Sequence, residues 1–186
     1  NRPSAFAEIT IAADENGKIT AWDSHHWGSN GFKGGTVSPT VMPYVVVPKN
    51  RRIRATGLTT HLGGDRAWRA PNHPQACALT CTAIDDLAAE LETDPYEVFM
   101  NNLDLTQRPN VYAEEMKIAA ELMGWQEKWK GRGKWKDGAI AHGLGMAIHT
   151  WGGRAGNAKA RIVINPDGAV ETFAGTQDLG TGTRTI

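Results

Sequence analysis

Two stretches carry residue types and spacings that could do chemistry. Residues 175–186 read GTQDLGTGTRTI and follow a segment that looks like a strand. Gly180 and Gly182 bracket Thr181, and Thr183 and Thr185 follow. Glycines let backbone N–H groups turn inward and approach a ligand closely. Hydroxyls add donors that suit a phosphate or a polar heterocycle. A helix starting beyond the loop would add positive dipole at the same place. The loop lacks the Lys of a phosphate-binding Walker loop and does not match G-x-G-x-x-G. Taken alone it fits a plain turn into the next helix better. The second stretch is DRAWRAPNHPQA, residues 65–76. Arg69 sits on a loop that opens a helix. Its guanidinium is a fixed cation with a planar fork of donors, suited to an oxyanion or a metal-oxo group. Its plainer use is a pair with a surface carboxylate such as Asp65.

Other chemistry finds little support. His25, His26, His61, His73, His142 and His149 form neither H-x₃-H nor H-E-x-x-H, and they read as scattered surface histidines. Cys77 and Cys81, four apart in a helix-like stretch, read as small buried hydrophobes. No G-x-S-x-G is present, which removes the usual Ser hydrolase signature. WQEKWKGRGKWKDG, residues 125–138, is basic and aromatic, a composition that can stack on bases. It reads instead as a solvated connector whose Trp residues fold back on the body, because nothing else in the chain is basic.

The elements that must position these loops follow from periodicity and turn residues. Residues 6–12 and 18–23 alternate weakly around Asn16-Gly17, a strong hairpin signal. Residues 24–40 read as loop, and 45–48 and 52–60 as two further strands. Pro71 and Pro74 break the chain before a helix over about 76–92, whose Ile84, Leu87, Ala88 and Leu91 share one face. Asp94-Pro95 starts a short helix over 96–103. A third helix over 112–123 places Tyr112, Met116, Ala119 and Met123 on one face and stops at Gly124. Residues 143–150 look like a small-residue strand, and 159–165 and 169–174 like a hairpin across Pro166-Asp167-Gly168. The class is α+β, with mixed sheets, β-hairpins and packed helices. A length of 186 residues suits one ordinary domain or two small ones. With 40% hydrophobic and 22% charged residues, the chain is globular rather than disordered. Zero net charge gives no reason to expect nucleic acid or an anionic membrane as partner. No apolar run is long enough to span a bilayer. The first residues show no secretory pattern, and the chain does not begin with Met.

In order, RAPNHPQ, a helix with IDDLA, DPYEVFMNNL, GLGMAI, the hairpin and GTQDLGTGTRT together resemble the molybdenum-binding large subunit of the xanthine dehydrogenase and aldehyde oxidase family. RAPNHPQ resembles the family's Arg-Gly-Phe-Gly-Gly-Pro-Gln loop, with Arg69, Pro74 and Gln75 matching. GTQDLGTGTRT resembles its pterin-binding loop. The resemblance implies hydroxylation of an aldehyde or an N-heterocycle carbon with oxygen from water. It implies molybdenum held by molybdopterin, in the cytosine dinucleotide form common among bacterial members, with no obligatory protein ligand to the metal. Arg69, Ala70, Gln75, Gly180, Thr181, Gly182 and Thr183 would line the cofactor pocket. Electrons would leave through a partner carrying [2Fe–2S] clusters and often onward to FAD. The setting would be multi-subunit and in the bacterial cytoplasm, with the periplasm as the alternative. Within that frame, 1–75 would be a β-rich part with the cofactor loop, 76–138 a helical part, and 139–186 the hairpin and pterin loop.

The departures also carry meaning. Thr181 stands where the family has Gln, so one amide contact is lost. Pro71 replaces an aromatic that stacks on purines. Only Lys33 lies near the region of the family's substrate Arg, so a purine substrate is not expected. The family's Gly-Gly-Gly-Phe-Gly-Gly-Lys loop and its catalytic base Glu lie outside the chain, which therefore reads as an internal segment of a larger subunit with its catalytic residue elsewhere. Two rivals stand beside this reading. One is a non-catalytic assembly module that contributes half of a cofactor pocket. The other is a nucleotide-phosphate binder using the terminal loop.

Overall fold

The computed structural model describes residues 4–66, 70, 72–151, 159–175 and 182. It divides into two compact units, Asn1–Thr150 and Trp151–Ile186. The architecture is α+β. In the first unit, strands β1 (Ser4–Ala13) and β2 (Ile19–Ser29) form an antiparallel hairpin, and β3 (Asn50–Leu58) adds to β2 in parallel, giving the order β1-β2-β3. The hairpin turn is built as its sequence suggests. Asp14 Oδ1 accepts from the amides of Asn16 and Lys18, both at 2.9 Å, and Gly17 takes φ 73°.

β2 runs six residues beyond the expected end at 23, through His25 and His26. Its inward positions are Trp22, Ser24, His26 and Gly28, all buried. Two of these are polar and one is glycine, so the period-2 signal is hidden from a hydrophobicity reading. His26 is therefore a core residue, 0% exposed, with Nε2 at 2.8 Å from the Val37 carbonyl, and not a surface histidine. On the other face His25 stacks on Trp27 with ring centroids 3.8 Å apart, and Phe6 lies 5.7 Å from Trp27.

Residues 45–48 form no strand. Val45 adopts φ 64° and the Val46 amide bonds to the Tyr44 carbonyl at 2.7 Å, a γ-turn of the rare positive-φ kind. Helix α1 (His73–Glu90) begins three residues before the expected start, because Pro74 falls in its first turn, where the missing N–H is harmless. It buries Ala76, Thr80, Cys81, Ile84 and Ala88. Helix α2 (Pro95–Asn101) is capped by Asp94, whose Oδ1 accepts from the Tyr96 amide at 2.8 Å, and a 3₁₀ turn at Leu103–Leu105 follows. Helix α3 (Pro109–Met123) buries Tyr112, Met116 and Ala120 and stops at Gly124 in the left-handed conformation, while Met123 is exposed. The core of this unit joins Ile19, Val46, Ile84, Val98, Phe99 and Leu103.

A one-turn helix, α4 (Trp125–Lys128), opens the basic segment. Trp125 is 1% exposed and donates Nε1–H to Asp94 Oδ2 at 2.9 Å, so it folds back on the body as expected. Arg132 pairs with Asp86. A small hairpin of β4 (Lys136–Asp137) and β5 (Ile140–Ala141) was not expected; Gly138, at φ 57°, turns it. Residues 143–150 pair with no strand among the described residues. The second unit holds the hairpin of β6 (Ala160–Ile164) and β7 (Val170–Ala174), closed by the Asn165 amide on the Ala169 carbonyl at 2.8 Å.

Candidate functional site

The loop into α1 carries two non-glycine residues at positive φ. Ala70 is buried at φ 53°, and Asn72 takes φ 68° at the helix N-cap. Positive φ is uncommon outside glycine, although Asn tolerates it best. In the motif the loop resembles, glycine stands at both places. The turn is closed by the His73 amide on the Ala70 carbonyl at 3.2 Å and the Ala76 amide on the Asn72 carbonyl at 3.0 Å. These bonds bring Ala70 and the half-buried Gln75 into one turn. Near this loop in sequence, Asn72 Oδ1 and Asp65 Oδ2 are buried acceptors without a hydrogen-bond partner. Arg69, Gly180, Thr181 and Thr183 lie outside the described residues. Gly182, at φ 75°, belongs to the second unit.

A cluster that sequence reasoning missed sits beside the loop. The Tyr44 side chain is 3% exposed. Its hydroxyl donates to the Thr150 carbonyl, accepts from the Thr150 amide at 3.1 Å, and lies 3.0 Å from His73 Nδ1. Tyr44 meets His73 and His149 edge-on, at 5.3 and 5.5 Å between ring centroids. Burial raises the Tyr44 hydroxyl above its ordinary range. Burial also lowers His73, opposed by the Thr150 backbone and reinforced by His149. One turn along α1, Cys77 and Cys81 both direct Sγ at the Ile148 carbonyl, at 3.7 and 3.9 Å. Their mutual hydrogen bond pushes the Cys81 thiol up, with burial adding, and lowers Cys77. Residues 148–150 are thus held by α1 and Tyr44 rather than by a strand ladder. Nothing in VMPYVVVP announces this role for Tyr44, since its partners lie 29 and 106 residues away.

DPYEVFMNNL has a different task. Asn102 is 0% exposed; its Oδ1 accepts from the Ile19 amide at 2.8 Å, and its Nδ2 donates to the Gly17 and Val98 carbonyls, each at 2.7 Å. Asn101 Nδ2 donates to the Asn16 carbonyl at 2.9 Å, and Lys18 reaches the Asn101 carbonyl and Asp104. This stretch clamps the β1–β2 turn and is scaffold. Among the described residues, no group of three or more His, Cys, Asp or Glu could hold a metal ion.

A family model for the molybdopterin cofactor-binding domain matches residues 1–103, which include strands β1–β3, the loop into α1 and the Asn clamp. The chain belongs to the molybdopterin cofactor-binding domain family. It is 30% identical over 197 residues to the aldehyde oxidoreductase molybdenum-binding subunit PaoC of Escherichia coli O157:H7, a match spanning 100% of this chain and 27% of that one. It is 26% identical over 141 residues to the xanthine dehydrogenase molybdenum-binding subunit of the same organism, spanning 68% of this chain and 19% of the relative. In fold it is similar to the aldehyde oxidoreductase of Desulfovibrio gigas, with a TM-score of 0.65 at 19% identity, over 92% of this chain and 21% of that one. The chain therefore spans about a quarter of the length of the curated relative PaoC.

Proposed function

We propose that the chain supplies part of the molybdopterin pocket of a bacterial molybdenum hydroxylase, an oxidoreductase that hydroxylates an aldehyde or an N-heterocycle carbon with oxygen from water. The observation that carries this reading is the family match over residues 1–103, which spans the α1 loop with its positive-φ positions at Ala70 and Asn72. The chemistry of the loop fits the group. A pterin ring presents N–H and amino donors, and Asn72 Oδ1 and Asp65 Oδ2 are buried acceptors that no donor satisfies. Leaving such atoms unpaired costs about 1–3 kcal/mol each, so a ligand that satisfies them gains that much.

When bound, the cofactor supplies the redox chemistry. The chain's residues hold and orient it. Ala70 and Gln75 form the floor of the α1 loop, Arg69 offers a fixed cation for an oxyanion, and Gly180, Thr181, Gly182 and Thr183 give backbone and hydroxyl donors to the pterin. Three working parts follow: about 1–75 with the α1 loop, 76–138 as helical support, and 139–186 with the pterin loop. PaoC's description as an aldehyde oxidoreductase subunit favours an aldehyde, and Pro71 and the lack of a substrate Arg disfavour a purine. The cofactor form is the cytosine dinucleotide. The catalytic base is a Glu of the remainder of the large subunit. The electron-accepting partners are an iron–sulfur subunit with [2Fe–2S] clusters and an FAD subunit, all in the bacterial cytoplasm.

Mass-spectrometric metal analysis of the protein purified from its own host, with every co-purifying chain retained, tests the reading. Stoichiometric molybdenum, with iron from a partner, is the expected result. A complex that holds together without molybdenum overturns it and leaves a non-catalytic assembly module.

A further inference from the structure

We propose that Tyr44 is a positioning residue of the cofactor pocket. Its hydroxyl ties His73 Nδ1, and with it the start of α1, to the backbone of Thr150 in a single ring orientation. The proposal rests on the molybdopterin reading above and adds residues that neither the sequence motifs nor the family match assigns.

Counting protons around one oxygen carries the argument. A phenol has one proton to give and lone pairs to accept with. The Thr150 carbonyl can only accept, so it takes the Tyr44 proton. The Thr150 amide can only donate, and it does so at 3.1 Å. The third neighbour, His73 Nδ1 at 3.0 Å, must then donate as well. His73 therefore carries its proton on Nδ1. Burial disfavours the doubly protonated ring. A proton on Nδ1 is the arrangement that the three neighbours of the Tyr44 hydroxyl select.

The lock is rigid for three reasons. Tyr44 is 3% exposed, so its ring is fixed by the residues packed around it. Its backbone amide donates to Thr80 Oγ1 at 2.8 Å, which anchors the residue to α1 independently of the ring. The next residue, Val45, is held at φ 64°, a conformation that a β-branched side chain resists. Such local strain persists only where surrounding contacts over-determine it, and it gathers at functional sites. The lock also joins RAPNHPQ to Thr150, two residues past GLGMAI. His73 itself stands at the third glycine position of the first motif.

The test uses the assembled, molybdenum-loaded enzyme. Wild-type metal content is measured first; absence of molybdenum there overturns the pocket reading, and this proposal with it. Y44F keeps the ring and deletes the oxygen. With molybdenum content retained, kcat is expected to fall at least tenfold with KM changed less than threefold, and the Mo(V) EPR spectrum to shift. A purely structural Tyr44 would lower thermal stability and leave the spectrum of the folded fraction unchanged. H73A and H73N form a second, independent pair, because the Asn amide nitrogen takes the place of Nδ1–H. H73N is expected to recover most of what H73A loses. An unaltered EPR spectrum with kcat within twofold in Y44F overturns the proposal. So does equal activity of H73A and H73N, which also decides the matter if Y44F fails to assemble.

Discussion

Asn102 and Asn72 are the same residue type in two regions with opposite accounting. Asn102 is fully buried, and its side chain makes three hydrogen bonds, all to backbone of the β1–β2 turn and α2. Asn72 sits at positive φ at the mouth of α1 with a buried Oδ1 that no donor meets. Buried polar groups are nearly always paired in native proteins, so an unpaired one asks for an explanation. The clamp uses its polar groups internally and therefore stabilises the fold. The α1 loop leaves an acceptor unpaired, as the inner face of β2 does at Ser24 Oγ and His26 Nδ1. The contrast marks the clamp as scaffold.

Three substitutions break or sharpen this contrast. The largest effect is expected from N102A, which strands the Ile19 amide and the Gly17 carbonyl in the core. Urea denaturation should show a loss of about 3–5 kcal/mol, since each orphaned group costs about 1–3 kcal/mol. A loss below about 1 kcal/mol would mean the clamp is not structural. G17A acts on the same turn more gently. An added Cβ would meet Val98 Cγ2 at 3.1 Å with φ at 73°, and a cost of about 1–2 kcal/mol is expected in the same measurement. The smallest effect on stability belongs to N72G. Glycine accepts the positive φ at no steric cost, so stability should stay within about 0.5 kcal/mol. The motif that the loop resembles carries glycine here, so molybdenum per chain in the assembled enzyme should be retained. If N72G instead destabilises the chain like N102A, the two asparagines are both scaffold and the distinction fails.

Much of the scaffold was legible in the sequence. The Asn16-Gly17 turn, the apolar face of α1, the Asp94-Pro95 helix start and the Gly124 stop each obey a local rule, and each stands where that rule puts it. The errors have a common cause. The inner face of β2 is built from Trp22, Ser24, His26 and Gly28, whose burial depends on neighbours from other elements, so the alternation was invisible. Residues 45–48 and 143–150 are apolar runs that look like strands, but no strand pairs with them among the described residues. A γ-turn takes the first and side chains of α1 and Tyr44 hold the second. The α1 loop was recognised by its residue types. Its partners could not be recognised, because Tyr44 and Thr150 stand 106 residues apart.

The sequence by itself therefore determined the helices, the two longer hairpins, the class and, through the order of its motifs, the family. Those properties rest on interactions within a turn or two of chain, or on a pattern of residue types that survives being written in one dimension. Only the tertiary structure decided which polar groups are spent and which are kept. Whether a buried asparagine or tyrosine has its partners depends on what the fold brings within about 3 Å of it. That separation is why Asn102 and Tyr44 look alike in the sequence, two ordinary polar residues beside apolar runs, while the fold makes one a clamp on a hairpin and the other a link between the start of α1 and Thr150.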